Sequence, residues 1–179
     1  MSDFEFTSVV VSILIAFAFS EVLASWGRII KRRRLVKFSA LYFATSAIFL
    51  LALAGHWLGL SGYRDLPGIS PSESLLVFSP AFVGALVAFV LSPEFPESGG
   101  VDLSSHYFAV APWVFSLLAA FALLAAVSDQ VVLGHGIFPF WVQLARAGVL
   151  LVPVFSKRAS VHAGVLGVTV VAPLVVTAL

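Results

Sequence analysis

The sequence predicts an all-α polytopic membrane protein, a bundle of six membrane-spanning helices joined by short loops. Three observations predict it. Of the 179 residues, 60% are hydrophobic and only 11% are charged, whereas a soluble globular domain carries about 25% charged residues. The apolar residues fall in blocks of roughly 20, the number that crosses a ~30 Å hydrocarbon core at the helical rise of about 1.5 Å per residue. The Lys and Arg residues are segregated to one predicted face, as topology-setting charges are.

The first block, residues 6–30, contains one carboxylate, Glu21, and ends in Lys31-Arg32-Arg33-Arg34 with Lys37 close behind. The acidic start Met1-Ser2-Asp3-Phe4-Glu5 lacks a basic stretch, and the block runs into arginines instead of small residues. It is therefore expected to stay as an anchor, not to be cleaved as a signal peptide. The remaining spans are expected at residues 38–60, 75–91, 107–127, 137–155 and 161–179. Spans two, three, four and six hold no Asp, Glu, Lys or Arg. A buried strand is also wholly apolar, but it is usually four to eight residues long. A transmembrane barrel needs alternating polar and apolar residues.

Turn residues punctuate the connectors. Pro67 and Pro71 discourage helix through the second loop, and Ser92-Pro93-Glu94-Phe95-Pro96-Glu97-Ser98-Gly99-Gly100 forms an acidic third. Asp102 or Ser104 is placed to cap the fourth helix. Links 128–136 and 156–160 are too short for a soluble domain, and no internal repeat suggests inverted transporter halves. Six crossings collect Arg28, Lys31, Arg32, Arg33, Arg34, Lys37, Lys157 and Arg158 on one face and Arg64 on the other. The positive-inside rule makes the first face cytoplasmic and puts both termini outside. Pro80, Pro112, Pro153 and Pro173 fall within spans and are expected to shape or kink them.

Two charges lie too deep to reach a surface easily. Glu21 is ten residues before Lys31 and Arg146 eleven before Lys157, so both sit about 15 Å from the basic edge. An unpaired charge at that depth costs about 3 kcal/mol or more, which calls for a partner. Glu21 and Arg146 are therefore expected to pair, with Gln143 one turn from the arginine and Ser25 beside the carboxylate. Such a pair either locks the first helix against the fifth or lines a path for ions or protons. The charge-free spans favour the lock. Arg28, seven residues from Glu21, is a rival partner but is expected to reach lipid headgroups with the rest of the basic cluster.

Small residues recur at four-residue spacing as Gly55-x-x-x-Gly59, Ala81-x-x-x-Ala85 and Gly84-x-x-x-Ala88, a pattern that lets helices approach closely. His56 and His135 fall near one membrane face and His106 and His162 near the other. Their spacing supports no metal or haem site, and no metal or cofactor is expected. Gly59-Leu60-Ser61-Gly62 matches the pattern around the nucleophile of rhomboid-type intramembrane proteases. Here the serine leaves a helix C-terminus and His162 lies near the opposite face, so a loop is the expectation. With no cysteine, disulfides and thiolate sites are excluded.

Phe4-Glu5-Phe6, Arg28 with the arginine run, His56-Trp57, and Val101-Asp102-Leu103 followed by His106-Tyr107 together resemble a group of small bacterial inner-membrane proteins with six spans and no assigned activity. The resemblance implies a bacterial cytoplasmic membrane and carries over no active residues. The expected function is that of a non-enzymatic accessory or scaffolding subunit in a homo-oligomer or larger membrane complex. Its expected partners are membrane lipids and other membrane subunits, with no nucleic acid. The alternative is a small oligomeric ion channel or transporter with Glu21 and Arg146 near its pathway.

Overall fold

The structure, a computed structural model, describes residues 3–64, 68–96, 99–134 and 137–177. Helices carry almost all of it. They are α1 (Asp3–Lys31), α2 (Ala40–Gly59), α3 (Pro71–Leu91), α4 (Leu103–Val132), α5 (Ile137–Leu151) and α6 (Ala159–Thr177). Short 3₁₀ turns follow α1, α2 and α5, at Arg33–Leu35, Leu60–Tyr63 and Val152–Phe155. His135 and residues 65–67 lie outside the described residues.

Among the described residues, α1, α2 with its 3₁₀ turn, α3 and α4 are long and apolar enough to cross a bilayer. The apolar pieces Phe140–Phe155 and Ala159–Val170 are shorter. The fifth is shortened by Pro153, which removes a backbone N–H and crowds the preceding turn, so α5 gives way to a 3₁₀ turn at Val152. Pro80 and Pro112, by contrast, lie inside uninterrupted α3 and α4.

Helix starts are specified by local chemistry. Ser39 caps α2 by accepting from the Tyr42 amide at 3.4 Å. Ser70 and Glu73 form a capping box ahead of Pro71. The Ser70 hydroxyl accepts from the Glu73 amide at 3.3 Å, and the Glu73 carboxylate accepts from the Ser70 amide at 2.7 Å. Asp102, one of the two expected caps, holds α4 by accepting from the amides of Ser104 and Ser105 at 2.9 and 3.1 Å.

In the bundle α3 packs between α1 and α4, α5 packs on the other flank of α4, and α2 touches α1, α4 and α6. Gly84 is where the small-residue expectation for α3 holds. A Cβ there would meet Leu53 Cδ2 at 2.7 Å and Phe121 at 3.7 Å, so glycine sets the approach of α3 to α2 and α4. Ala81, Ala85 and Ala88 are buried beside it.

Side-chain hydrogen bonds stitch the helices at several depths. Thr7 donates to Ser74 (3.2 Å), Trp57 Nε1 to Ser12 (3.1 Å) and Trp26 Nε1 to Ser46 (3.1 Å), and Ser25 shares a 2.9 Å bond with Tyr42. Buried His162 joins three elements. A carbonyl only accepts, so its Nε2 carries the proton donated to Ser156 O at 2.7 Å. Its Nδ1 then accepts from Tyr107 Oη at 2.8 Å, and that oxygen accepts from Thr45 at 3.4 Å.

Candidate functional site

Four helices enclose a cavity of about 450 Å³. α2 contributes Ile48, Leu51, Ala52, Gly55, His56 and Gly59, positions that recur every three or four residues along one side of the helix. α4 contributes Phe121, Ala122, Ala125 and Asp129, α5 contributes Gln143 and Arg146, and α6 contributes Thr169 and Val170. Most of the wall is apolar, with a few converging polar groups, the composition of a small-molecule site.

Two polar atoms on this wall lack partners. Arg146 Nε and His56 Nε2 are both buried and form no hydrogen bond among the described residues. The salt bridges there are Glu21–Arg28 and Lys37–Asp102, so none of the described carboxylates pairs with Arg146. The imidazole is held edge-on against Phe121, with ring centroids 5.5 Å apart. Thr169 donates to Val165 O in its own helix, leaving its oxygen lone pairs free. Tyr63, also on the wall, ties the 3₁₀ turn after α2 to α4. Tyr63 Oη donates to Asp129 Oδ1 at 2.6 Å and accepts from Ser128 Oγ at 3.1 Å.

The expected Glu21–Arg146 pair does not form. Glu21 accepts instead from Arg28 at 3.0 Å, seven residues along α1. The physical reason is adjacency: α1 packs chiefly on α3 and α5 chiefly on α4, so equal depth does not bring the two charges together. Ser25 also belongs elsewhere, on Tyr42. Gln143 and Arg146 do share a wall, as their spacing on one helix requires. Gly55 and Gly59 correct the expectation of close helix packing. A Cβ at either meets nothing within 4 Å, and both line the cavity.

A second cleft, of about 580 Å³, lies at the basic end between α1 and the segment after α3. Glu21, Arg28, Arg32, Phe89, Ser92 and Glu94 line it. Part of the basic cluster is thus used within the protein. Arg32 donates to Pro96 O at 3.1 Å, and its guanidinium lies 5.7 Å from the Phe95 ring centroid. Lys37 pairs with Asp102 at 2.8 Å. The hydrogen bond and charge of Asp102 raise the Lys37 pKa, and the hydrogen bond from Lys37 is the main cause of the lowered Asp102 pKa. Lys31, Arg33, Arg34, Lys157 and Arg158 are exposed, as orientation charges are.

Among the other candidates, Ser61 donates to Leu58 O at 2.9 Å. His162, bonded to Ser156 and Tyr107, belongs to the opposite end of the bundle, so the two do not meet. His106 Nε2 donates to Leu91 O at 2.9 Å and closes the end of α3. Sequence reasoning weighed His56 as a metal or haem ligand and not as a cavity residue, and it missed Tyr63 and Asp129. The usable signal was Asp129, a carboxylate that continues the helical face of Ala122 and Ala125 two residues beyond the expected end of the span. Comparison with family models, curated proteins and solved structures gives no match.

Proposed function

We propose that the protein crosses a bacterial cytoplasmic membrane six times, with its basic end in the cytoplasm and both termini outside, and that it is a small carrier or channel binding its ligand at the Arg146 cavity. One observation carries this reading: an arginine and a histidine, each with a buried nitrogen that has no partner among the described residues, line the same 450 Å³ cavity. Buried polar atoms without partners are rare, and ionisable residues at membrane depth are functional candidates by default. On this reading the wall holds a ligand, and Thr169, which donates to a carbonyl of its own helix, has no base there to activate it. Glu21, paired with Arg28 in the other cleft, drops out of the pathway.

The test is extraction of small molecules from protein purified in mild detergent, read by mass spectrometry. Wild-type protein is expected to retain a species that Arg146→Gln loses, at an unchanged sizing profile. Identical extracts from both would overturn the reading. Accessibility tags at Gly62 and Lys157 test the six crossings, and they are expected to report opposite sides.

The accessory or scaffolding role in a homo-oligomer is the second reading, favoured by α5 and α6. A Cβ at Gly148, Gly164 or Gly167 meets nothing within 4 Å, so the two shortest apolar pieces keep open small-residue surface for another helix. Sizing decides it: a lone monomer in mild detergent counts against it.

A further inference from the structure

We propose that the occupant of the Arg146 cavity is a single-chain amphiphilic carboxylate of the fatty-acid class, taken in sideways from the bilayer, an inference that rests on the cavity being a ligand site. Three features of the cavity lead there.

The first is where it is open. At the far end Tyr63 is buried and bonded to Ser128 and Asp129 of α4, which ties the 3₁₀ turn across that end of the cavity. On the flank, Leu51 is 69% exposed, and Gly55 and Gly59 are exposed with open space where a side chain would stand. Leu51 lies at the middle of the membrane-length stretch Ala40–Tyr63 and Gly55 four residues on, whereas Tyr63 ends it. With this stretch across the bilayer, the opening faces hydrocarbon. An occupant arriving through it must itself be soluble in lipid.

The second is charge. Among the described residues Arg146 has no carboxylate within ion-pair distance, so the cavity offers an unneutralised guanidinium to an anionic or strongly accepting head. A planar carboxylate matches the guanidinium fork. Asp129 on the same wall disfavours a doubly charged head.

The third is depth. Arg146 lies nine residues into α5 from Ile137, about 14 Å along the helix. A phosphodiester headgroup stays charged and would bring its charge through hydrocarbon to reach that point. A carboxylic acid crosses hydrocarbon in neutral form, offers its carbonyl oxygen to the guanidinium when neutral, and offers both oxygens when ionised. Its tail leaves through the gap left by Gly55, along Leu51.

The experiment measures binding of radiolabelled palmitate to the full chain in phosphatidylcholine nanodiscs, with hexadecanol and sodium butanoate as competitors. Saturable palmitate binding is expected. Hexadecanol, which lacks the carboxylate, should compete at least about tenfold more weakly, the scale of a charge-assisted hydrogen bond. Butanoate, which lacks the tail, should lose at least as much through the apolar burial it forgoes. Arg146→Gln and Gly55→Leu should each lower palmitate affinity by a similar factor. A Cβ at position 55 meets nothing within 4 Å, so Gly55→Leu puts its side chain at the opening, and an unchanged melting temperature should accompany the lost affinity. Equal competition by hexadecanol, or undiminished binding by Gly55→Leu, would overturn the proposal. If palmitate fails to bind while wild type still retains a species that Arg146→Gln loses, the ligand class is wrong and the cavity reading stands. If neither is seen, both fall.

Discussion

Lys37 Nζ donates to Asp102 Oδ2 at 2.8 Å, and the backbones that carry them run side by side as a parallel pair, Val36 beside Val101 and Lys37 beside Asp102. The segment after α1 is thereby clipped to the residues that cap α4. Arg32 adds a second tie by donating to Pro96 O. A basic edge that sequence reasoning assigns to orientation alone also fastens the α1–α2 link to the α3–α4 link.

The clip is electrostatic and exposed, so its contribution depends on pH. Asp102 titrates below its usual value when folded, so its contribution is present above about pH 4 and is lost as pH falls through the lowered pKa. Lys37 titrates above its usual value, so its contribution is complete below about pH 10 and is lost as pH rises through the raised pKa. Lys37→Gln should therefore lower Tm slightly at pH 7, by an amount that shrinks as pH falls below about 4 through the lowered Asp102 pKa. Thermal melts over a descending pH series check this, and a difference that does not shrink on acidification would show that the ion pair is not its source.

Gly100 stands where the clip allows no side chain. A Cβ there would lie 2.6 Å from Leu35 O, a backbone atom that cannot swing aside. Gly100→Ala is expected to cost about 1–3 kcal/mol, the range for overpacking. At this chain length each 1 kcal/mol lowers Tm by about 2–4 °C. The melting temperature in detergent is the readout, and a wild-type value would mean the two links separate at no cost.

The glycines of α2 and α3 should respond in opposite ways. Gly84→Val must displace Leu53, which is fully buried, and should cost about 1–3 kcal/mol. Gly55→Ala enters open space in a helix and should be neutral or stabilise by about 0.5–1 kcal/mol. Parallel melts of the two variants settle whether the small-residue spacing in α2 marks packing or a cavity wall.

These residues show which parts of the fold a sequence displays. Apolar length and local caps are properties of consecutive residues, so the long helices and the Asp102 cap were legible. The pairing of Glu21 was not, because depth along a helix follows from residue counting whereas adjacency depends on which helices touch. The spacing Gly55-x-x-x-Gly59 is common to a helix–helix contact and to a cavity wall, and only the neighbouring atoms distinguish them. Tyr63, Asp129 and His56 converge from two helices and a 3₁₀ turn, a convergence no single stretch encodes. The same holds for His162, whose partners Tyr107 and Ser156 come from different elements.

Tyr107→Phe removes the donor to His162 Nδ1 and leaves a fully buried nitrogen unpaired. The expected loss is about 1–3 kcal/mol, the cost of an unsatisfied buried polar group. Adding His162→Leu removes that orphan, so the double variant should be more stable than the sum of the two single losses implies, with a coupling of about 0.5–3 kcal/mol. Denaturant unfolding of the four proteins measures it. Strict additivity would mean that the Tyr107–His162 bond contributes nothing net.

The same logic separates the two possible partners of Glu21. Glu21 and Arg28 share a 3.0 Å ion pair and one cleft, whereas Arg146 lines the cavity among α2, α4, α5 and α6. Glu21→Gln should therefore couple with Arg28→Gln, because each single change strands the other's charge in a half-buried setting. With Arg146→Gln it should add to within about 0.3–0.5 kcal/mol, as unconnected sites do. The coupling with Arg28 is itself expected to be modest, on the order of 1 kcal/mol or less, because the Arg28 side chain is 42% exposed. Unfolding free energies of the five proteins, wild type and three single variants and the Glu21–Arg146 double, together with the Glu21–Arg28 double, complete both cycles. A coupling larger for Arg146 than for Arg28 would restore the lock between the first and fifth helices. It would also take from Arg146 the free guanidinium on which the cavity's affinity for an anion depends.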